Sequence, residues 1–228
     1  MKITAFVPCR KGSQRIENKN VKSFSNSSLL HIKLEQLIKC KNIDNIVVST
    51  DDEEVIEIAK SYRNDKITIH ERDDYFASSV CSTEELISYI INNIEFEHLL
   101  WTHVTSPFCD EKIYDEAVDI YKGLESEYDS FVSAEKIQEF LWDKNGNGVN
   151  YDKVKDGRWP QTQTLEPLYL VNSAIFLASK KVMLENNDRV GKAPYFYCMN
   201  KLHSIDIDWP EDFEAAQMIY NSLRGDND

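Results

Sequence analysis

The chain of 228 residues carries 26 basic and 39 acidic side chains, a formal net charge of −13, and 42% of its residues are hydrophobic. This acidic balance excludes the broad basic face that nucleic acids require, and no apolar run approaches the roughly 20 residues that cross a bilayer. A chain of this size and composition buries one substantial core, so we predict a single domain over residues 1–228, with disorder expected only in the tail 224–228.

The cysteines and the N-terminal segment indicate a reducing compartment. The five cysteines are widely spaced, odd in number and without a C-x-x-C pair, which argues against a disulfide framework or a structural zinc site. Before Arg10 the N-terminus offers only the stretch 3–8, which is too short for the apolar region of a signal peptide. We therefore expect reduced thiols and a cytoplasmic protein.

Hydrophobic periodicity predicts strands alternating with helices along most of the chain. Ser82 and Glu85 have the spacing of a capping box at the start of one of these helices. The predicted strands are 3–7, 46–48, 67–69, 99–104 and 169–177, and the predicted helices are 28–41, 52–62, 83–94 and 110–122. This alternation implies an α/β fold with a mostly parallel sheet and helices on both faces.

The alternation fails between residues 131 and 169. Aromatic residues 140–142, turn residues 145–148 and a second apolar stretch at 149–151 predict a β-hairpin there. Because a strong strand resumes at residue 169, we interpret the segment as an excursion rather than a second domain. Its aromatic side chains suit a partner surface, and a hairpin folded back on its own domain is the alternative.

A basic loop follows the first strand. Between positions 10 and 22 five cations face one acid, a local balance of +4, whereas the rest of the chain sums to −17. Gly12 permits close backbone approach, Ser13 offers a hydroxyl, and Arg10, Arg15 and Lys19 can neutralise a triphosphate. The loop matches neither a Walker A motif nor G-x-G-x-x-G. It predicts a small phosphorylated ligand, and a solvated basic surface loop is the alternative.

Two carboxylates near the C-terminal end, Asp206 and Asp208, are two residues apart in a segment that we predict to be a strand. On a strand both side chains point the same way, roughly 7 Å apart at Cα. That geometry allows both to hold one hard cation such as Mg²⁺ together with phosphate oxygens. Asp208 also precedes Trp209 and Pro210, so a helix N-cap is the alternative interpretation for it.

His103 lies at the carboxyl end of the predicted strand 99–104, beside Thr105 and Ser106. In parallel sheets ligands bind beyond the carboxyl ends of the strands. A histidine there can orient a substrate or accept a proton near neutral pH. A structural role is the alternative, and the other four histidines show no metal-binding spacing.

Four segments, in the same order and across nearly the whole length, make this sequence similar to the acylneuraminate cytidylyltransferase family, which includes the CMP-sialic acid synthetases and the bacterial nonulosonic acid cytidylyltransferases. These segments are residues 7–20, 47–51, 105–107 and 204–212. The resemblance implies an α/β fold of the nucleotide-diphospho-sugar transferase type and a homodimer joined by an extended arm, here about residues 133–168. It also implies transfer of CMP from CTP to the anomeric hydroxyl of a 3-deoxy α-keto sugar acid, with Mg²⁺ and release of pyrophosphate.

The resemblance also implies a role for individual residues. The implied nucleotide-binding residues are Arg10, Gly12, Ser13, Arg15, Lys19, Asn20 and Ser82, with Ser82 near the cytosine. Asn172 and Phe176 are the implied sugar-acid residues, and Asp206 and Asp208 the implied metal pair. To the sugar-acid residues we add the hypothesis that His103 orients the acid or accepts its proton. The predicted catalytic residues are Arg10, Lys19, His103 and Asp208.

The chain departs from the family pattern mainly on the sugar-acid side. Where the family usually reads Gln-Pro-Thr-Ser-Pro-Leu-Arg, this chain has His103 at the start and Cys109 at the end. Ser79 stands where the family commonly has Asp, and Ser173 where it commonly has Gly. The acceptor is therefore left open among neuraminic, legionaminic, pseudaminic and related acids. The remaining alternatives are a transferase acting on KDO or another sugar, a D-x-D glycosyltransferase, and a relative that binds nucleotide without turnover.

Overall fold

The computed structural model describes residues 1–225 and centres on a seven-stranded sheet. The strands are β1 (Ile3–Pro8), β2 (Ser23–Phe24), β3 (Ser27–Ser28), β4 (Asn45–Thr50), β5 (Ile67–Glu71), β6 (His98–Trp101), β7 (Ser130–Ile137), β8 (Leu168–Ser179) and β9 (Pro194–Met199). The helices are α1 (Leu29–Lys39), α2 (Glu53–Ser61), α3 (Asp74–Ala77), α4 (Thr83–Asn93), α5 (Glu111–Lys122), α6 (Lys180–Asn186) and α7 (Pro210–Gly225). Of the tail expected to be disordered, Arg224 and Gly225 belong to α7, and residues 226–228 lie outside the described residues.

The strand order in the sheet is β5-β4-β1-β6-β8-β7-β9. Strands β5, β4, β1 and β6 are mutually parallel, β8 runs antiparallel to both β6 and β7, and β9 is parallel to β7. The prediction of a mostly parallel sheet is confirmed. Since the carboxyl ends of β1, β4 and β6 share one edge, the loops that follow these strands meet there.

Hydrophobic side chains fill both faces of the sheet, because successive residues of each strand point to opposite sides. In β1, Ala5 and Val7 belong to the larger core with α1, α2, α5 and α7, whereas Phe6 belongs to the second core with α4 and α6. Phe6 and Trp101 pack together there, with ring centroids 4.4 Å apart. No helix of the described residues is long and apolar enough to cross a membrane.

Three sequence-based element predictions need correction. The strand predicted over 99–104 ends at Trp101, because the chain turns at residues 104–105. Residues 205–208 have no regular secondary structure and lie outside the sheet, so the alternation of a strand does not set the directions of Asp206 and Asp208. The sheet also contains β7 and β9, which pair in parallel and which the hydrophobic pattern did not distinguish.

The segment between β7 and β8 begins as a regular ladder and then becomes irregular. Ile137 pairs with Leu168, and beyond that pair the predicted hairpin is reduced to one bridge between Trp142 and Gly148. An aromatic cluster holds this part together: Trp142 and Trp159 pack at 5.4 Å, and Phe140 contacts Trp159 at 5.3 Å. The excursion is therefore ordered by side-chain packing more than by strand pairing.

Candidate active site

A cavity of about 450 Å³ opens at the edge where β1 and β6 end. It brings together five residues of the basic loop with three residues from distant parts of the sequence. The loop residues are Arg10, Ser13, Arg15, Lys19 and Asn20, and the others are His103, Asp206 and Asp208. All eight were predicted as site residues from the sequence, and the fold brings them together around one cavity.

The basic loop is held in shape by its own polar contacts. The Asn20 side-chain amide donates to the Arg10 carbonyl at 3.1 Å, and the backbone N–H of Lys11 donates to the Asp51 carboxylate at 2.7 Å. Gly12 has φ +71°, a left-handed conformation that favours glycine. Gly12 itself faces a neighbouring shallow depression rather than the cavity, so its backbone conformation explains the glycine.

The basic loop contacts the acidic segment directly. Lys19 donates from Nζ to the Ile207 carbonyl at 2.8 Å and lies 3.8 Å from the Asp208 carboxylate. Arg15 pairs with Asp208 at 3.1 Å and stacks over the Trp209 ring at 4.6 Å. Burial lowers the pKa of Lys19, and the two nearby aspartates oppose that shift. Cations and carboxylates thus meet at one end of the cavity.

Asp206 is the less satisfied member of the acidic pair. Its segment is fixed to the turn after β6, because the N–H of Ile207 donates to the Thr105 carbonyl at 2.9 Å. Burial raises the pKa of the Asp206 carboxyl, although a hydrogen bond from Thr105 opposes the shift. The Oδ1 atom is buried and has no hydrogen-bond partner among the described residues. A buried carboxylate oxygen without a partner is costly and marks a site that receives a cation or a donor.

The N-cap interpretation of Asp208 is wrong. Helix α7 begins at Pro210, and it is the Asp212 carboxylate that accepts the N–H groups of Asp208 and Trp209, at 3.0 and 2.8 Å. The Asp208 side chain faces Arg15 and Lys19 instead. The Asp208 side chain therefore does not cap α7, and it lines the cavity.

His103 also lines the cavity, among aromatic and basic side chains. Its Nε2 accepts the indole N–H of Trp101 at 3.2 Å and lies 3.5 Å from a guanidinium nitrogen of Arg189. Burial, followed by the charge of Arg189, lowers the pKa of His103 to about 3. The imidazole is therefore neutral near pH 7, with Nε2 as the acceptor.

Four predicted site residues lie away from the cavity walls. Ser82 caps α4 through the predicted capping box, Asn172 binds Ser133 and Ser204 inside the protein, and Phe176 is buried beneath Arg189. Gly12 faces the adjacent depression. Ser82 and Phe176 adjoin residues of the cavity wall, whereas Asn172 supports the segment that carries Asp206. Their ligand roles stay predictions.

Residues 4–224 match the family model for cytidylyltransferases. The chain belongs to the cytidylyltransferase family. It is 29% identical over 223 residues to an N-acylneuraminate cytidylyltransferase of Escherichia coli O18:K1:H7, covering 96% of this chain but 52% of that protein. It is 26% identical to a pseudaminic acid cytidylyltransferase of Campylobacter jejuni, covering 96% and 97% of the two chains.

The fold of this cytidylyltransferase is similar to that of a solved structure. A 4-diphosphocytidyl-2C-methyl-D-erythritol synthase from Anaerococcus prevotii superposes with a TM-score of 0.71 and 14% identity, over 96% of both chains. At that identity the likeness concerns the fold, an α/β sheet of the nucleotidyltransferase type. The fold class predicted from the sequence is thereby confirmed.

Sequence reasoning missed several wall residues of this cytidylyltransferase. Arg72 follows β5, and its Nε and Nη2 donate to the Ser49 hydroxyl and carbonyl at 3.1 and 2.8 Å. Its position after a parallel strand is a signal that could have found it. Arg189 and Trp101 also line the cavity. Arg189 comes from the loop before β9, a strand that the sequence pattern did not reveal, so its approach could not be anticipated.

Proposed function

We propose that this cytidylyltransferase transfers CMP from CTP to the anomeric hydroxyl of a nonulosonic acid. The anomeric oxygen attacks the α-phosphorus, a new P–O bond forms, and the bond to the departing pyrophosphate breaks. The observation that carries this proposal is the single cavity in which a basic loop meets Asp206 and Asp208. The names of the relatives, which specify N-acylneuraminate and pseudaminic acid, support the acceptor class.

The basic loop is assigned to the triphosphate. Arg10, Arg15 and Lys19 line the cavity with the Ser13 hydroxyl, and together they can neutralise phosphate oxygens. The ion pair between Arg15 and Asp208 is about half exposed on both sides, at 49% and 54%, so a phosphate can replace Asp208 as the partner at little cost. In phosphoryl transfer the protein contributes mainly positioning and charge neutralisation.

Asp206 and Asp208 fit a magnesium site. The unpartnered Oδ1 of Asp206 and the exposed Asp208 carboxylate are hard oxygen donors of the type that Mg²⁺ prefers. Among the described residues no group of three or more His, Cys, Asp or Glu side chains could hold a metal, which agrees with a cation that completes its shell with phosphate oxygens and water. When bound, Mg²⁺ offsets the charge that develops on the phosphoryl oxygens.

His103 is assigned to orienting the acceptor. With a pKa of about 3 the imidazole is a weak base, whereas its fixed position beside Trp101 suits a hydrogen bond. A His103→Gln enzyme is expected to show a higher KM for the sugar acid and an unchanged pH profile. A pH profile that loses one limb in this variant would restore the role of base.

We also propose a homodimer that uses the arm, and a cytoplasmic location. The beginning of β8, and β9 on the far side of β7, expose apolar side chains: Tyr169, Leu170, Val171 and Phe196 are 40–54% exposed, and the rings of Tyr169 and Phe196 stack at 4.9 Å. Such an apolar surface on a sheet suits a second copy of the chain. The five unpaired cysteines fit a reducing compartment. Sedimentation of wild type and Leu170→Glu tests the dimer: a wild type that sediments as a monomer rules it out.

The function is tested by pyrophosphate release from CTP and Mg²⁺ with a panel of acids: N-acetylneuraminic, pseudaminic, legionaminic and KDO, and a sample without acid. We expect release that depends on one of the three nine-carbon acids, with a CMP-sugar of matching mass. Release with KDO alone would favour the octulosonic alternative. Tight CTP binding without release for any acid would favour a relative that has lost turnover.

A further inference from the structure

Arg189 places a guanidinium on the cavity wall, beside His103. Its guanidinium carbon lies 3.8 Å from the Phe176 ring centroid and 5.2 Å from the Trp101 ring centroid. Its polar contact is the long 3.5 Å approach to His103 Nε2. In the part of the chain that the structure describes, no carboxylate forms an ion pair with Arg189. Arg189 is half-buried, and the charge of the adjacent Asp188 only partly opposes the lowering of the Arg189 pKa by burial. A partly buried cation without an ion-pair partner is favourably placed to receive an anion.

The loop that carries Arg189 is anchored to the sheet. The N–H groups of Lys192 and Ala193 donate to the Asp129 carboxylate at 2.7 and 3.1 Å, and the N–H of Gly191 donates to the Ser130 hydroxyl at 2.9 Å. A Cβ at Gly191 would collide with the Asp129 carboxylate, so only glycine permits this approach. Arg189 is thus positioned before any ligand arrives, which is a property of binding sites.

Other positive groups on the cavity wall have different surroundings. Arg15 and Lys19 lie close to the Asp208 carboxylate, and Arg72 donates hydrogen bonds from Nε and Nη2 to Ser49. His103 is neutral and supplies no charge. Arg10 belongs to the basic loop assigned to the triphosphate. Of the cations whose charge lowers the pKa of His103, Arg189 has the largest effect, and it is the one whose guanidinium nitrogen lies 3.5 Å from the ring. The rings of Phe176 and Trp101 lie against its guanidinium.

We propose that Arg189 binds the carboxylate of the sugar acid and so orients its anomeric hydroxyl toward the nucleotide. This inference rests on the proposed function. The planar fork of a guanidinium matches a carboxylate with two parallel hydrogen bonds, and stacking on aromatic faces is the usual support for that geometry. His103, fixed by Trp101 on one side, limits the directions from which the carboxylate can approach. Arg189 is then a specificity-determining residue for acids over neutral sugars.

The test uses the acid that wild type turns over best in the panel, with Arg189→Gln and Arg189→Lys. Loss of a charged hydrogen-bond partner predicts a rise of about 10- to 150-fold in the KM for the acid in Arg189→Gln. The KM for CTP is expected to stay within about twofold, as for sites without shared contacts. Arg189→Lys keeps the positive charge without the planar guanidinium, so its KM for the acid should lie between those of wild type and Arg189→Gln. The exposed Arg63, far from the cavity, gives the matched control Arg63→Gln.

A second measurement separates carboxylate recognition from a structural effect. The methyl ester of the same acid removes the negative charge from the substrate. In wild type the ester should be a poorer substrate by the same factor, whereas Arg189→Gln should treat acid and ester alike. An Arg189→Gln enzyme with an unchanged KM for the acid, or with the full ester penalty, overturns the inference while the proposed function stands. A wild type that turns over no acid overturns both.

Discussion

Replacing Asp206 by Asn is expected to stabilise the protein without ligands while removing its activity. The Asp206 carboxylate is half-buried, its Oδ1 lacks a partner among the described residues, and burial raises its pKa. Because burial raises the pKa of the carboxyl, the folded chain disfavours its charged form, and Asn keeps the shape while removing that charge. We expect the free energy of unfolding to rise by about 1 kcal/mol, which for a chain of this size raises the Tm by about 2–4 °C.

Thermal unfolding with and without magnesium and CTP measures both effects. At a ligand concentration of about 100 times Kd the wild type should gain about 2.7 kcal/mol, and Asp206→Asn should lose most of that gain. Asp208→Asn is the matched control, because its half-exposed ion pair with Arg15 contributes at most about 1 kcal/mol to the unliganded protein. The reasoning is refuted if Asp206→Asn lowers the unliganded Tm, or if it keeps the full response to magnesium and CTP.

Three further predictions concern residues around the cavity. Ser173 has φ +58°, so Ser173→Gly should raise the free energy of unfolding by about 0.5–1 kcal/mol in a urea titration, and a loss of stability would contradict this. Gly191→Ala should force the loop away from Asp129 and raise the KM for the sugar acid more than that for CTP, whereas an equal rise would disconnect the loop from the acceptor. Burial lowers the pKa of Lys33 to about 8, so between pH 8 and 10.5 the unfolded chain binds more protons at this lysine than the folded chain does. The free energy of unfolding of wild type, measured relative to that of Lys33→Met, should therefore rise by roughly 3 kcal/mol over this pH range. A difference that does not change with pH would refute the lowered pKa.

Much of the fold could be predicted because strands β1, β4, β5, β6 and β8 and the four helices α1, α2, α4 and α5 carry local signals. The strand at residues 3–8 is apolar except for Thr4, and Ser82 with Glu85 forms the capping box that their spacing indicated. Strands β7 and β9 could not be identified in the same way. Their pairing joins residues about 60 positions apart, for example Ser130 with Pro194, and such a contact leaves no periodicity within either segment.

The nucleotide side of the site was anticipated better than the acceptor side. The basic loop is one contiguous stretch, so its charge and its glycine together indicated a phosphate site in the sequence. Most of its residues line the cavity. Arg189 and Trp101 reach the cavity from separate loops and strands, and only the tertiary structure brings them to His103. Cys109 occupies the position where the resemblance places an arginine, and it is buried and does not line the cavity. Arg189 does line the cavity and is therefore the candidate guanidinium for the acceptor.

Lys33 shows how a buried cation escaped the sequence analysis. It lies on α1 within an apolar pattern, yet its ammonium is fully buried and donates to the Ser106 carbonyl at 2.9 Å and to the Tyr114 hydroxyl at 2.6 Å. These contacts hold the turn that follows β6, from which Thr105 binds the segment of Asp206 and Asp208. Lys33 therefore supports the site from beneath without reaching it.

The transfer of CMP itself is tested most directly with CTP that carries a radioactive α-phosphate. Incubation with Mg²⁺ and the panel of nonulosonic acids should place the label in a sugar nucleotide whose formation requires the acid, and the pyrophosphate should be unlabelled. Asp206→Ala and Asp208→Ala should form no labelled product while remaining folded. Label that appears only as free CMP, without any acid, would contradict the proposed function, whereas product formed by the two variants as fast as by wild type would contradict the metal role of Asp206 and Asp208.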